Sequence, residues 1–266
     1  MPLAVCATPI GNLDDVTLRL LDELRAADVI LCEDTRHTRV LLNRHGISAR
    51  LLSYHEHNEA KRTAEILVRL QAGDRVALVS DAGLPGISDP GARLVGAALD
   101  AGVAVTVLPG PSAVETALVA SGFAAERYQF VGFLPRGAKA LSTLWEELGH
   151  WPHPVVAFES PQRLPATLRS LADTQPARSV AVCRELTKKF EQVVRGTAAE
   201  VAEAFAEAPK GEITLVLGAA AASVDAGAAV DAVAELVGLG VPRRRAADVV
   251  ARLTGAAKNE LYRRTL

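Results

Sequence analysis

Two short polar clusters carry the side chains best suited to chemistry. Glu33-Asp34-Thr35-Arg36-His37-Thr38-Arg39 packs carboxylates, hydroxyls, an imidazole and two guanidiniums into one run, and His55-Glu56-His57 follows shortly after. Four of the six histidines lie between His37 and His57. Groups this polar cannot all be buried unpaired. They pair internally as salt bridges, face water, or form a site. In a site, Glu33, Asp34 or an imidazole such as His55 takes a proton, while Arg36 and Arg39 hold an anion such as phosphate. A His-x-His pair on a strand points both rings to one face, which opens a metal reading. Metal catalysis needs a third ligand that no spacing here fixes, so no metal is assigned.

A third feature organises the rest of the chain. Val76-Ala77-Leu78-Val79 reads as a strand buried on both faces. It runs into Ser80-Asp81-Ala82-Gly83-Leu84-Pro85-Gly86-Ile87-Ser88-Asp89-Pro90-Gly91, then a helix over 92–99. Ser88 or Asp89 is the expected helix cap, with Pro90 at the first helical position. Ordinary strand-to-helix turns take about two to six residues; this one is longer. The carboxyl ends of parallel strands are where open α/β sheets bind ligands. Glycine admits a ligand against the backbone, and proline fixes the loop beforehand. Thr8-Pro9-Ile10-Gly11-Asn12 and Pro109-Gly110-Pro111-Ser112-Ala113 repeat the same chemistry after two further strands.

These loops need two layered sheets to position them. Strands are expected over 3–7, 29–32, 51–54, 76–79 and 103–108. Helices are expected over 16–26, 38–45, 64–72, 92–99 and 113–121. This alternation predicts a mostly parallel sheet with helices on both faces. The helix over 113–121 bridges to a second α/β unit with strands near 128–134, 155–159, 179–183, 191–197 and 213–218, helices over 141–148, 164–172 and 198–207, and a mixed sheet. The predicted organisation is α/β throughout: domain 1–112, domain 113–222, and a linker with a helical tail over 223–266. Residues 219–229 have linker composition. Short helices over 230–239, 243–253 and from Lys258 resemble a helix-turn-helix element or a small bundle.

Composition narrows the class. Hydrophobic residues make up 49% but aromatics only 4%, so Ala, Val and Leu must fill the cores. No apolar run reaches the length of a membrane span, and residues 3–10 are too short for a leader. Cys6, Cys32 and Cys183 are far apart and form no CxxC, which disfavours a disulfide framework and structural zinc and points to a reducing cytoplasm. The net charge is −2, yet the last 26 residues hold seven basic side chains against Asp248 and Glu260. A basic end on an acidic body suits a polyanion partner; a solvated helix pair is the plain alternative.

The ordered motifs Thr8-Pro9-Ile10-Gly11-Asn12-Leu13-Asp14-Asp15, Glu33-Asp34-Thr35-Arg36, the 81–90 stretch, Pro109-Gly110-Pro111-Ser112-Ala113, Gly132-Phe133-Leu134-Pro135-Arg136 and Phe158-Glu159-Ser160-Pro161 resemble the tetrapyrrole methylase superfamily. Within it they are similar to the branch that methylates a cytidine 2′-oxygen in 16S rRNA, and Lys258-Asn259-Glu260-Leu261-Tyr262 fits that branch too. The resemblance implies a class III methyltransferase with S-adenosylmethionine folded in the cleft between domains, a homodimer, and the 30S ribosomal subunit as partner. It carries cofactor contacts onto Pro9 and Gly11, onto Ser80, Asp81, Ala82, Gly83, Leu84 and Ile87, onto Ser112 and Ala113, onto Phe158, Glu159 and Ser160, and onto Leu186, Glu212 and Thr214. Gly11 is the only glycine of the first loop, where corrin methylases carry GxGxxD. The competing functions are a tetrapyrrole C-methyltransferase and a non-catalytic RNA-binding module.

Overall fold

The computed structural model describes residues 2–220, 226–254, 256 and 258–265. In chain order the elements are β1 (Leu3–Cys6), α1 (Leu18–Ala26), β2 (Val29–Cys32), α2 (Thr35–Arg44), β3 (Leu51–Ser53), α3 (Glu59–Gln71), β4 (Val76–Val79), α4 (Ala92–Asp100), β5 (Val105–Leu108) and α5 (Ala113–Ser121). There follow β6 (Gln129–Phe133), α6 (Ala138–Leu148), β7 (Val155–Glu159), α7 (Leu164–Thr174), β8 (Ser179–Arg184), β9 (Gln192–Thr197), α8 (Ala198–Ala204), β10 (Ile213–Leu217), α9 (Ala226–Gly238), α10 (Arg243–Thr254) and α11 (Lys258–Arg264).

The first sheet has the order β3-β2-β4-β1-β5 and is parallel throughout. β1, β2 and β4 are apolar and buried at every position, as a strand covered on both faces requires. Side-chain alternation divides them between two cores. Leu3 and Val5 pack with Ile66 of α3 and Leu94 of α4, and Ala4 and Cys6 pack with Leu20 and Leu24 of α1.

The second sheet runs β6-β7-β10-β8-β9, with only the β6–β7 pair parallel. α6, α7 and α8 cover one face around fully buried Trp145. α5 covers the other face, joined there by Ile10 from the loop after β1. α8 opens on a reciprocal cap in which the Thr197 hydroxyl and the Glu200 side chain satisfy each other's backbone N–H. α9, α10 and α11 pack on one another through Val233, Ala246, Ala247, Val250 and Leu261. Among the described residues no helix is long and apolar enough to cross a membrane.

Four local expectations are corrected. α2 starts at Thr35 rather than 38, because the Asp34 carboxylate accepts the Arg36 backbone N–H as an N-cap. α4 starts at Ala92 after Gly91, which holds φ +146°. Neither Ser88 nor Asp89 caps it and Pro90 lies outside it, since Ser88 itself takes a left-handed φ of +62°. His55 and His57 sit in a turn after β3, not on a strand, with rings edge-on at 5.9 Å. Of the predicted linker 219–229, residues 221–225 lie outside the described residues, and α9 already begins at Ala226.

Candidate active site

The sheet order sets β1 between β4 and β5, and the loops leaving these three strands meet on one side of a cavity of about 840 Å³. Ile10 comes from the first loop, 81–84 and 87–89 from the second, and 109–113 from the third. The second sheet supplies the facing wall: Phe130 and Phe133, 158–161, Leu186 and 211–214.

The first two loops are stitched together. Thr8 and Gly83 exchange both backbone hydrogen bonds, at 2.9 and 3.1 Å. The Ser80 hydroxyl donates to the Gly83 carbonyl at 3.0 Å, and the Thr8 hydroxyl donates to the Ser80 carbonyl at 3.0 Å.

The two sheets are joined close to the same place. The Asn12 N–H donates to the Thr187 hydroxyl at 3.0 Å. Gly11 lies so near this segment that a Cβ there meets Lys188 Cγ at 2.5 Å, Thr187 Oγ1 at 2.7 Å and the Leu186 carbonyl oxygen at 2.8 Å. Because backbone is among those atoms, relaxing a side chain does not relieve the clash. Gly11→Ala is expected to destabilise the fold by about 1–3 kcal/mol, read as a lowered urea midpoint at unchanged slope. An unchanged midpoint would show that this close approach is not part of the fold.

Leu186 reaches the cavity between two residues in strained backbone, Glu185 at φ +53° and Thr187 at φ +64°. Such conformations cost about 1–3 kcal/mol each and persist only where surroundings enforce them. Here the Glu185 carboxylate accepts from the Glu212 N–H at 3.0 Å and from Lys188 Nζ at 3.0 Å.

The cavity is acidic. Asp81, Asp89, Glu115, Glu159 and Glu212 line it, Glu159 and Glu212 being paired from behind with Arg163 at 3.2 Å and Lys188 at 2.8 Å, and none of its described lining residues is Lys, Arg or His. Burial pushes the Asp89 carboxyl up to about 6, and the like charges of Glu33 and Asp81 push the same way against the Ser80 hydroxyl. Burial also raises Glu33, helped by Asp81 and Asp34 and opposed by His55. At Glu115 burial acts upward, but hydrogen bonds from the Ser112 and Tyr128 hydroxyls outweigh it and lower the carboxyl.

Most of the residues carried over as cofactor contacts reach this cavity: Asp81, Ala82, Gly83, Leu84, Ile87, Ser112, Ala113, Phe158, Glu159, Ser160, Leu186, Glu212 and Thr214. Three do not line it. Pro9, Gly11 and Ser80 stand behind the wall as framework, with Ile10 presented in their place.

The candidate proton-handling group lies outside the cavity. Glu33, Asp34, Arg36 and His55 do not line the cavity, because they follow β2 and β3, outward of β4 in the sheet. Their link to it is electrostatic and through one bond, the Asp34 N–H to Asp81 Oδ1 at 3.2 Å. Arg36 grips Asp34 at 2.7 Å and holds its carboxyl well below the usual range. This is the internal salt bridge the sequence left open. Among the described residues no three His, Cys, Asp or Glu side chains gather as a metal site.

Asp89, Ile10, Glu115, Tyr128, Phe130 and Phe133 are among the lining residues the sequence did not assign to a site. Ser112-x-x-Glu115 has the spacing of a capping box, but the Ser112 hydroxyl donates to the Glu115 side chain instead of capping the backbone.

The family described as Tetrapyrrole (Corrin/Porphyrin) Methylases matches residues 2–202. A protein of Mesorhizobium japonicum named ribosomal RNA small subunit methyltransferase I is 45% identical over 99% of this chain and 91% of its own length. A protein of the same name from Thermotoga maritima is 47% identical over 81% of this chain and 97% of its own length. Among solved structures, a uroporphyrin-III C-methyltransferase from Thermus thermophilus complexed with S-adenosylhomocysteine superposes with a TM-score of 0.57 at 21% identity, over 81% of this chain and 96% of that one. A conserved hypothetical protein from Aeropyrum pernix superposes with a TM-score of 0.65 at 19% identity, over 99% of this chain and 94% of that one. These low identities speak for the fold. The sequence matches go further: the chain belongs to the tetrapyrrole methylase family and, within it, to the family of ribosomal RNA small subunit methyltransferase I.

Proposed function

We infer that this chain transfers a methyl group from S-adenosylmethionine to the 2′-oxygen of a cytidine ribose in 16S rRNA of the small ribosomal subunit. The observation that carries the reading, within a chain of this family, is the acidic cavity wall with no cation in its described lining. A ligand with a sulfonium and an ammonium is favoured by such a wall, whereas a phosphate-bearing cofactor is repelled by it. S-adenosylmethionine, when bound, supplies a methyl on a sulfonium that is already an active donor.

The chain's own residues do the remaining work. Asp81 and Glu212 oppose the ligand's positive charge. Ala82, Gly83 and Leu84 give backbone to it, together with Ser112, Ala113 and the run Phe158, Glu159 and Ser160. Ile10, Ile87 and Leu186 exclude water, and Thr214 closes the floor. Holding donor and hydroxyl in line removes much of the barrier. A ribose 2′-hydroxyl is a poor acid, and Asp89 is the base that takes its proton. Burial, with the neighbouring charges of Glu33 and Asp81 acting the same way, keeps Asp89 basic enough for that task.

The same acidity keeps RNA phosphates outside the cavity. Arg39 beyond β2 and Arg244 and Arg245 on α10 are exposed and suited to hold them. Deleting residues 223–266 is expected to flatten the slope of log affinity for 30S subunits against log salt by roughly one for each phosphate the tail neutralises. An unchanged slope removes the tail from the RNA interface.

The working unit in this reading is a cytoplasmic homodimer. Sedimentation at micromolar concentration checks the dimer. The function itself is tested by incubating the chain with methyl-labelled S-adenosylmethionine and 30S subunits, free 16S rRNA or uroporphyrinogen. Label on one cytidine 2′-oxygen of 30S is expected. Label on the tetrapyrrole, or on nothing, sinks the reading.

A further inference from the structure

Phe133 is out of phase with its own strand. Along β6, Phe130 packs against the α5-side core and Val131 against the opposite core, as alternation requires. Continued alternation would send Phe133 to Val131's side. Instead the register with β7 shifts between Phe130 and Phe133, at Gly132, whose φ is +68°. Such a bulge re-aims the side chain that follows it. Phe133 consequently shares Phe130's side, its ring 5.4 Å from Phe158, which lies 5.0 Å edge-on from Phe130. Leu134, next along, falls on Val131's side, so the shifted phase persists past the bulge.

The re-aimed ring is not buried. Phe133 is 63% exposed while lining the cavity, and Ile87, on the loop from the other sheet, is 52% exposed and lines it too. Ser88 Oγ lies 3.8 Å from where a Gly132 Cβ would stand, so the loop carrying Ile87 and the bulge carrying Phe133 meet at the cavity. An exposed aromatic braced by Phe158, and an exposed aliphatic side chain on the loop that meets its bulge, give the cavity two sides of a slot for a flat apolar-faced group.

We propose that this slot between Phe133 and Ile87 holds the base of the target nucleotide, turned out of the RNA and stacked on the Phe133 ring. The proposal rests on the reading of the chain as an rRNA methyltransferase and names the subsite that reading lacks. Charge decides the occupant. With an acidic wall and no cation among its described lining, the cavity admits the base and sugar of a splayed-out nucleotide and leaves its phosphates outside. Ile87 and Asp89 are two residues apart on one loop, so the same loop that flanks the base carries the group facing the ribose hydroxyl. Unstacked bases on aromatic rings are the usual means of reading single-stranded RNA.

The test compares Phe133→Ala, Phe133→Leu and Phe133→Tyr. It measures kcat/KM for 30S methylation, S-adenosylhomocysteine affinity by calorimetry, and melting temperature as a control for folding. Stacking on one ring leads to a roughly 5- to 100-fold loss of kcat/KM in Phe133→Ala. Phe133→Leu should lose nearly as much, because it keeps apolar bulk without a π-face. Phe133→Tyr should stay within a few-fold of wild type, and all three should bind S-adenosylhomocysteine normally. A Phe133→Leu enzyme with wild-type kcat/KM overturns the stacking. So does a parallel loss of S-adenosylhomocysteine affinity, which would assign the ring to the cofactor. A wild-type chain inert on 30S overturns the underlying function before any variant is compared.

Discussion

Asp89→Asn is expected to lower methyl transfer by about 10²- to 10⁴-fold, the usual contribution of a positioned general base, while leaving the protein folded. Asp89 lines the cavity and its carboxyl is pushed up to about 6 by burial and by Glu33 and Asp81. Only the ionised form accepts a proton. In the wild type kcat/KM should therefore rise about tenfold per pH unit below that value and level off above it. In Asp89→Asn this rise disappears. Glu33→Gln removes one of the like charges that raise Asp89, so its rise should shift to lower pH with the plateau retained. Stability moves the opposite way from activity. A carboxyl whose folded pKa lies above its unfolded value contributes stability fully present below the unfolded value and lost as pH rises through about 6. Asp89→Asn escapes that loss, so at pH 8 it should melt no lower than wild type, and at pH 4 the difference should shrink. An inactive variant that also unfolds at pH 8 would mark Asp89 as structural, and full activity would mark it as a bystander.

The strands are legible because their burial is written locally. Four-residue apolar runs such as Val29-Ile30-Leu31-Cys32 admit few other readings, and each is buried at every position. Glycine stops are legible for the same reason: Gly122 ends α5 in the left-handed conformation that glycine adopts without penalty. The start of α2 is hidden because its first turn, Thr35-Arg36-His37, has no apolar periodicity, and only the cap on Asp34 marks it. Asp89 resembles a cap because Ser-Asp-Pro before a helix is good local chemistry. The backbone of Ser88 and Gly91 turns it elsewhere. Ile10 and Phe133 escape notice for a longer-range reason. Ile10 is fixed by a core built mostly from residues beyond 113, and Phe133 by a register shift against β7. No window around either residue contains those partners.

Arg163→Met should cost about 3–5 kcal/mol of folding stability, well beyond an ordinary surface substitution. The Glu159 side chain is 0% exposed and sits at the end of β7, where the strand meets the cavity. It accepts from the Thr167 hydroxyl at 2.5 Å and the Ser160 N–H at 2.7 Å, and Arg163 Nη2 lies 3.2 Å away. The same guanidinium donates to the carbonyls of Leu134 at 2.9 Å and Pro135 at 2.6 Å, bracing the segment just after Phe133. Removing it strands a carboxylate out of water with neutral donors only and leaves two carbonyls short of a partner. Glu159→Gln is the milder change, because Arg163 is 28% exposed and can turn to solvent. The pair therefore should not add. Glu159→Gln/Arg163→Met, with no charge left behind, should be more stable than Arg163→Met alone, by an interaction of up to about 3 kcal/mol in a double-mutant cycle. Urea midpoints at constant slope measure all four corners. If the double variant is instead less stable than Arg163→Met, the cost of losing Arg163 lies in the Leu134 and Pro135 carbonyls, and the ion pair contributes little to the fold.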